Sequence, residues 1–375
     1  MPNPTRDTAD GRIYNDLRNL ARRTGAPTDQ VMLEYLLERF LYRVSIHPLG
    51  QQHFVLKGGL LLAQFGARRV TRDIDILGRA FPGDEQEIIR RITQIAATAV
   101  DDGVTFEPGT LTTVPIRQVD EYHGLRLAMN ATLSRARLKL QLDVSFGDPV
   151  TPAPAPIEYP QYLTDETFTL YGYPIATVIA EKLSTAIALG DLNTRDRDYA
   201  DLHQLITRHQ LNGDELTTAL RNTASHRGIQ LRPLSEAISD LPTRRQAPYT
   251  AWRRRQGHAA ENHPATFADL VATVTTFADP LATGAVHRHT WDPATRAWHA
   301  RSPSPGACAR LLAPGTYGLG PLFPRRARDV RSRALPARSR TRNRNRAARS
   351  RKSISRFRAC CAVHAPSGWA VTPRT

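Results

Sequence analysis

Two carboxylates two residues apart, Asp73 and Asp75, alternate with Ile74 and Ile76 in a short stretch ending at Leu77 of a 375-residue chain. Asp is depleted in strands, and alternation along a strand turns both side chains to one face. Like charges held together cost energy unless something positive neutralises them, and a divalent cation with oxygen ligands is the obvious candidate. Just upstream, Gly58-Gly59 separates the apolar run 54–56 from another that begins at Leu60. A glycine pair at a helix start leaves backbone N–H groups unpaired, and a phosphate can approach with no Cβ in the way. Asp143 is a further carboxylate in an apolar, strand-like context, and Glu181-Lys182 and the run 193–202 add charged groups later in the chain. Each has an ordinary explanation. Glycine pairs mark turns, Asp-x-Asp is common in loops, and a lysine on a helix is usually solvated. Asp198 and Asp201 suit the first turn of a helix, where Arg195 and Arg197 would pair with them for little energy.

The elements that must position these groups follow from periodicity. Residues 11–24 and the segment after Thr28 are amphipathic, which predicts two helices, the second capped by Thr28 and ended by Pro48-Leu-Gly50. A short strand or the start of a helix at 54–56 and a helix over 60–65 flank the glycines, and 72–77 is a strand. A charged helix is expected around 84–100. The runs 123–133 and 137–146, joined by a short polar turn, form an antiparallel hairpin. The Pro-rich stretch 149–160 excludes regular helix and central strand and reads as a linker. Helices over 176–189, 198–208 and 267–278 follow, with Gly190 as a stop. Trp252 with Arg253, Arg254 and Arg255 is the dense basic patch of the body, favoured as an ordinary helix face over an RNA contact with a stacking Trp.

The net charge of +16 suggests nucleic acid, but its location weakens that inference. Residues 301–375 hold 18 Lys and Arg against the lone Asp329, which leaves 33 basic and 34 acidic residues in 1–300. The body is balanced and the tail carries the excess. Beyond about residue 288 no apolar period survives, and Arg, Pro, Ser and Ala dominate, so disorder is expected there. Cys308, Cys360 and Cys361 all lie in that tail, so the body has no disulfide or thiolate metal site. With no leading apolar segment and no membrane-length apolar run, a soluble cytoplasmic protein is expected.

The order of the pieces is more telling than any one of them. Thirteen residues separate Gly59 from Asp73, room for one short helix and a turn before the next strand. Glycine pair, helix, strand with Asp-x-Asp and a later strand with a third Asp resemble the DNA polymerase β-like nucleotidyltransferase superfamily. Within it, residues 54–62, then Arg69-x-Thr71-x-Asp73-x-Asp75, then 173–183 and 193–202 look like the AbiEii/AbiGii-type toxin nucleotidyltransferases. The helix around Tyr35–Arg43 fits as well, and the resemblance spans roughly residues 11–285.

That resemblance implies an α/β nucleotidyltransferase fold with a mixed sheet. N-terminal helices (1–50) would precede the core (51–160), followed by a helical domain (161–287) that completes the active site and a basic tail (288–375). Gly58 and Gly59 would cradle the nucleotide's phosphates, with Arg195 also nucleotide-binding. Asp73 and Asp75 would hold Mg²⁺, two ions about 4 Å apart being expected. Asp143 would be the third carboxylate, serving as metal ligand or base; Lys182 would contact the triphosphate and Asp198 complete the site. Two positions depart from the family: Leu60 replaces a small hydroxyl residue and Arg197 a lysine. The implied activity is transfer of a nucleotide from an NTP to an acceptor such as the tRNA 3′ end, by the toxin of a bacterial toxin–antitoxin or phage-defence pair. A cognate antitoxin would be encoded nearby, and no membrane partner is expected. A protein hydroxyl as acceptor, or an idle nucleotide- or nucleic-acid-binding module, are the competing readings.

Overall fold

A computed structural model describes residues 4–67, 69–118 and 122–301. Helix α1 (Ala9–Thr24) starts where the Thr8 hydroxyl accepts the Gly11 N–H and ends at Gly25 in the left-handed conformation, φ 68°. Helix α2 (Thr28–Ile46) begins one residue earlier than a Thr28 cap would allow: Pro27 takes the cap position and Thr28 is already helical. It is buried on most sides, with Tyr35, Leu37, Phe40 and Leu41 in the core. Its charges are paired inside as well, Arg43 gripping Asp102 at 2.6 and 3.1 Å. The helix ends at Ile46 ahead of Pro48, as expected, with His47 extended. Pro48 then opens a short helix, α3 (Pro48–His53), at the first-turn position where proline's missing N–H costs nothing.

The sheet follows. Strand β1 (Phe54–Lys57) leads through the glycines into α4 (Gly58–Leu61), which tightens into a 3₁₀ turn over Leu62–Phe65. Strand β2 (Ile74–Gly78) precedes α5 (Glu85–Ala96), and then come β3 (Val104–Gln118), β4 (Tyr122–Leu133) and β5 (Ala136–Phe146). Two more, β6 (Ala155–Pro160) and β7 (Thr167–Gly172), complete seven strands in the order β3-β4-β5-β2-β1-β7-β6. Pairing is mixed: β2 runs parallel to β5 and β1 to β7, and the rest are antiparallel. The expected hairpin is β4–β5. The expected linker 149–160 is partly strand, because β6 is the sheet's edge and an edge strand can carry Pro156 and Pro160 without losing ladder bonds. Since β7 lies beside β1, the sheet runs to residue 172, past the expected boundary at 160.

The remainder is mainly helical: α6 (Ile175–Leu189), α7 (Asp196–Arg208), a short strand β8 (Leu211–Asn212), α8 (Gly213–His226), α9 (Leu234–Ala237), α10 (Leu241–Arg255) and α11 (Phe267–Ala282). Gly190 ends α6 at φ 51°. Trp252 of the basic patch packs inward, stacked on Tyr249 at 5.8 Å and edge-on to His263 at 4.9 Å. The indole is thus part of the core, and the flanking arginines form a helix face.

Order persists beyond residue 288, contrary to expectation. Strands β9 (His289–Asp292) and β10 (Ala297–Ala300) form a hairpin that pairs with β8. Trp291 is fully buried, its indole N–H donating to the Ile206 carbonyl at 2.7 Å, and Trp298 stacks on Phe277. Two four-residue strands are too short to show a period, so the tryptophans alone marked this hairpin. The rest of the expected tail, 302–375, and its three cysteines lie outside the described residues. The described residues fall within one compact unit, which holds every element above. Among the described residues no helix is long and apolar enough to cross a membrane.

Trp291→Ala in the full chain should destabilise the fold by about 3–5 kcal/mol, the range for truncating a buried aromatic. Calorimetric unfolding tests this; an unchanged midpoint would mean that the 288–301 hairpin is not part of the core.

Candidate active site

Four adjacent strands share one register across the middle of the sheet. Lys57 on β1 pairs with Asp75 on β2, Asp75 with Asp143 on β5, and Asp143 with Arg126 on β4. Paired residues share a face, so the four line up as a row of charges, positive, negative, negative, positive. All four line a cavity of about 630 Å³ that also takes in Gly58, Gly59, Asp73, Lys182, Arg195 and Asp198. The cavity therefore gathers every residue the sequence nominated.

Gly58 has φ 67°, and a Cβ there would lie 2.0 Å from the Asp75 carboxylate oxygen. The requirement for glycine is thus double, backbone conformation and space. The Gly59 N–H donates to the Asp75 carboxylate, so in this state it serves the acid of β2. Leu60, which departs from the family's small hydroxyl residue, is buried in the core. Asp73 lies just before β2 and accepts the buried Thr71 hydroxyl at 2.9 Å. Asp75 is pushed up to about 6, first by withdrawal from water, then by the charge of Asp73, with Lys57 opposing and Asp143 adding.

The opposite wall comes from α6 and α7. The Lys182 ammonium donates to Asp198 at 2.6 Å and Asp201 at 2.8 Å. Burial alone would lower its pKa; the two carboxylates outweigh that and raise it, so the lysine stays charged. Burial likewise works against ionised Asp198, but the Lys182 charge and bond win and its pKa falls. Asp201, whose ordinary reading was a helix-end acid, is buried and also accepts the Arg69 guanidinium at 3.0 and 3.2 Å. Arg195 and Arg197 stand exposed at the rim. Asp196 belongs elsewhere, held by Arg245 with both contacts at 2.7 Å.

Sequence reasoning assigned no role to Arg126 or Lys57, and read Asp201 as an acid suited to the first turn of a helix. Arg69 and Asp201 had a signal, since Arg69 opens the Arg69-x-Thr71-x-Asp73-x-Asp75 motif and Asp201 lies in the 193–202 run. Arg126 has none, because only strand register brings it to Asp143. It holds that acid through two contacts, 2.8 and 2.6 Å. This alters the expected metal triple of Asp73, Asp75 and Asp143. Among the described residues no group of three or more His, Cys, Asp and Glu side chains is arranged to hold a metal ion, and Asp143 is turned to a guanidinium instead. The donor chemistry nevertheless fits a hard cation such as Mg²⁺: the acids offer only oxygen, and their mutual repulsion is what such an ion relieves.

The chain is a nucleotidyltransferase by its family. A family model described as "Nucleotidyl transferase AbiEii toxin, Type IV TA system" matches residues 39–273, and the chain belongs to that family. Two solved structures are similar over part of their length. JHP933 from Helicobacter pylori is 18% identical, with a TM-score of 0.34 over 51% of this chain and 73% of that one. A candidate nucleotidyltransferase from H. pylori is 19% identical, with a TM-score of 0.34 over 54% and 80%. No curated protein matches the chain.

An Asp whose folded pKa is about 6, against 3.8 ordinarily, opposes folding when ionised. That penalty is full above pH 6, fades as pH falls through 6 towards 3.8, and amounts to at most about 3 kcal/mol. Asp75→Asn should therefore stabilise the metal-free protein at pH 7.5, and the difference from the parent should shrink towards pH 4.5. Urea unfolding in EDTA at the two pH values measures this; equal stability at pH 7.5 would refute the raised pKa of Asp75, whose largest cause is burial.

Proposed function

We propose that the protein transfers a nucleotide from an NTP to an acceptor hydroxyl with Mg²⁺ as its cofactor, the acceptor being the 3′ end of tRNA, and that it acts as a toxin neutralised by a separately encoded antitoxin. The observation that carries the reading is the facing of two unlike walls across one cavity. The sheet wall presents Asp73, Asp75 and Asp143, and the helical wall Lys182 held between Asp198 and Asp201. Asp73 and Asp75 would hold Mg²⁺, which when bound neutralises phosphate charge and lowers the pKa of an attacking hydroxyl.

The chain's own groups do the rest by positioning and electrostatics. An ammonium has three donors, and Lys182 spends two on its carboxylates, leaving one for a triphosphate oxygen. Arg195 and Arg197 at the rim meet the remaining charge. A bond forms between the acceptor oxygen and the α-phosphorus, the bond from that phosphorus to the bridging oxygen breaks, and pyrophosphate leaves. The hydroxyl's proton passes to a carboxylate of the strand row. The exposed arginines favour a polyanionic acceptor over a protein hydroxyl.

The test incubates the full chain with Mg²⁺, each labelled NTP in turn and total bacterial tRNA. Label should enter tRNA, and Asp73→Ala/Asp75→Ala should reduce incorporation by at least about 100-fold, with Lys182→Ala close behind. Label on protein instead of RNA would overturn the acceptor. Undiminished transfer by the double variant would overturn the site.

A further inference from the structure

The charge row is asymmetric at its two ends. At one end Lys57 is fixed: its ammonium lies 2.6 Å from Asp148, their side chains only 16% and 1% exposed. Asp148 in turn accepts the hydroxyls of Ser145 and Tyr173. At the other end Arg126 leaves 46% of its side chain exposed while the Asp143 carboxylate beneath it is 16% exposed. The next residue along the row, across on β3, is Val114, itself 60% exposed and offering no charge. Asp143 is the sole ion-pair partner the described residues give Arg126. A half-exposed ion pair of this kind is weak and readily exchanged, whereas the buried Lys57 pair is costly to break.

We propose that Arg126 is an exchangeable counter-ion, occupying Asp143 while the site lacks its cation and moving to a phosphate of the incoming nucleoside triphosphate when the cation arrives. The inference rests on the Mg²⁺ reading above and adds to it a residue and an order of events. Asp143 and Asp75 sit in register on neighbouring strands, so an uncompensated Asp143 would repel Asp75. The guanidinium offsets part of that repulsion and at the same time keeps Asp143 from a metal. A divalent ion alone must displace Arg126 from two charge-assisted bonds. A triphosphate offers the displaced guanidinium an equivalent bidentate partner in the same cavity. Cation and triphosphate therefore assist each other's binding, a coupling that is reciprocal.

The two ligands separate this role from a merely structural one. Mn²⁺ alone is titrated into the parent protein, Arg126→Gln, Arg126→Lys and Asp75→Asn, with free Mn²⁺ followed by electron paramagnetic resonance. Inorganic tripolyphosphate, which carries no base, is titrated calorimetrically into the same proteins at saturating Mg²⁺. Arg126→Gln should bind Mn²⁺ tighter, on the order of tenfold, and tripolyphosphate weaker by a similar factor. Arg126→Lys, which keeps the charge but loses the fork, should fall between. A uniform weakening of both ligands, or an unchanged affinity for either, overturns the exchange. Mn²⁺ binding that Asp75→Asn abolishes but Arg126→Gln does not change would leave the metal reading standing and sink this one. Mn²⁺ binding that no variant alters, or its absence throughout, sinks both.

Discussion

The site depends on strand register. Lys57, Asp75, Asp143 and Arg126 come from four strands and meet because the pairing of β1, β2, β5 and β4 sets them opposite one another. A slip of one residue in any of these pairings would turn a charge to the other face of the sheet. The apolar neighbours forbid it: Ile74 and Ile76 flank Asp75, Leu142 and Val144 flank Asp143, and all four are buried. Hydrophobic burial on one face thus positions ionic chemistry on the other.

Holding the acids there opposes folding, as the raised pKa of Asp75 records. The protein tolerates this locally because the surrounding core is large and because each end of the row carries a cation. Such conflicts between stability and charge placement are concentrated at functional sites. Gly58 belongs to the same compromise. A residue with any side chain would push the β2 carboxylate away, so the glycine lets the chain fold tightly over a group that would otherwise be kept in water.

The local motifs were legible from the sequence. The glycine pair, Asp73, Asp75, Lys182 and Asp198 carry their signal in short-range spacing, and all of them line one cavity. The helices with clear apolar periods were legible for the same reason. What escaped depends on distant pairing. Arg126 is an ordinary strand arginine until β4 lies beside β5, and Asp201 looks like a helix-end acid until Arg69, 132 residues earlier, reaches it. The Pro-rich stretch 155–160 hid a strand because proline's penalty vanishes at a sheet edge. The hairpin after residue 288 was hidden by brevity, two four-residue strands giving too few alternations to distinguish them from tail.

Helix α7 joins the two walls into one site. Asp201 on its inner face binds Lys182 of α6 and Arg69 of the segment that leads to Asp73, so a single carboxylate fixes both sides of the cavity. At the helix's far end His209 meets the Phe65 carbonyl at 2.9 Å and Arg208 donates to the Gly66 carbonyl. The chain from the glycines to β2 is therefore held at the middle and the C-terminal end of α7. A buried ion cluster of this kind gains little net stability, because desolvation cancels most of the attraction. Its value lies in the distance it imposes: neither Lys182 nor Arg69 can leave Asp201 without unpairing a charge inside the protein. That makes the spacing between Lys182 and the segment leading to Asp73 a fixed property of the fold.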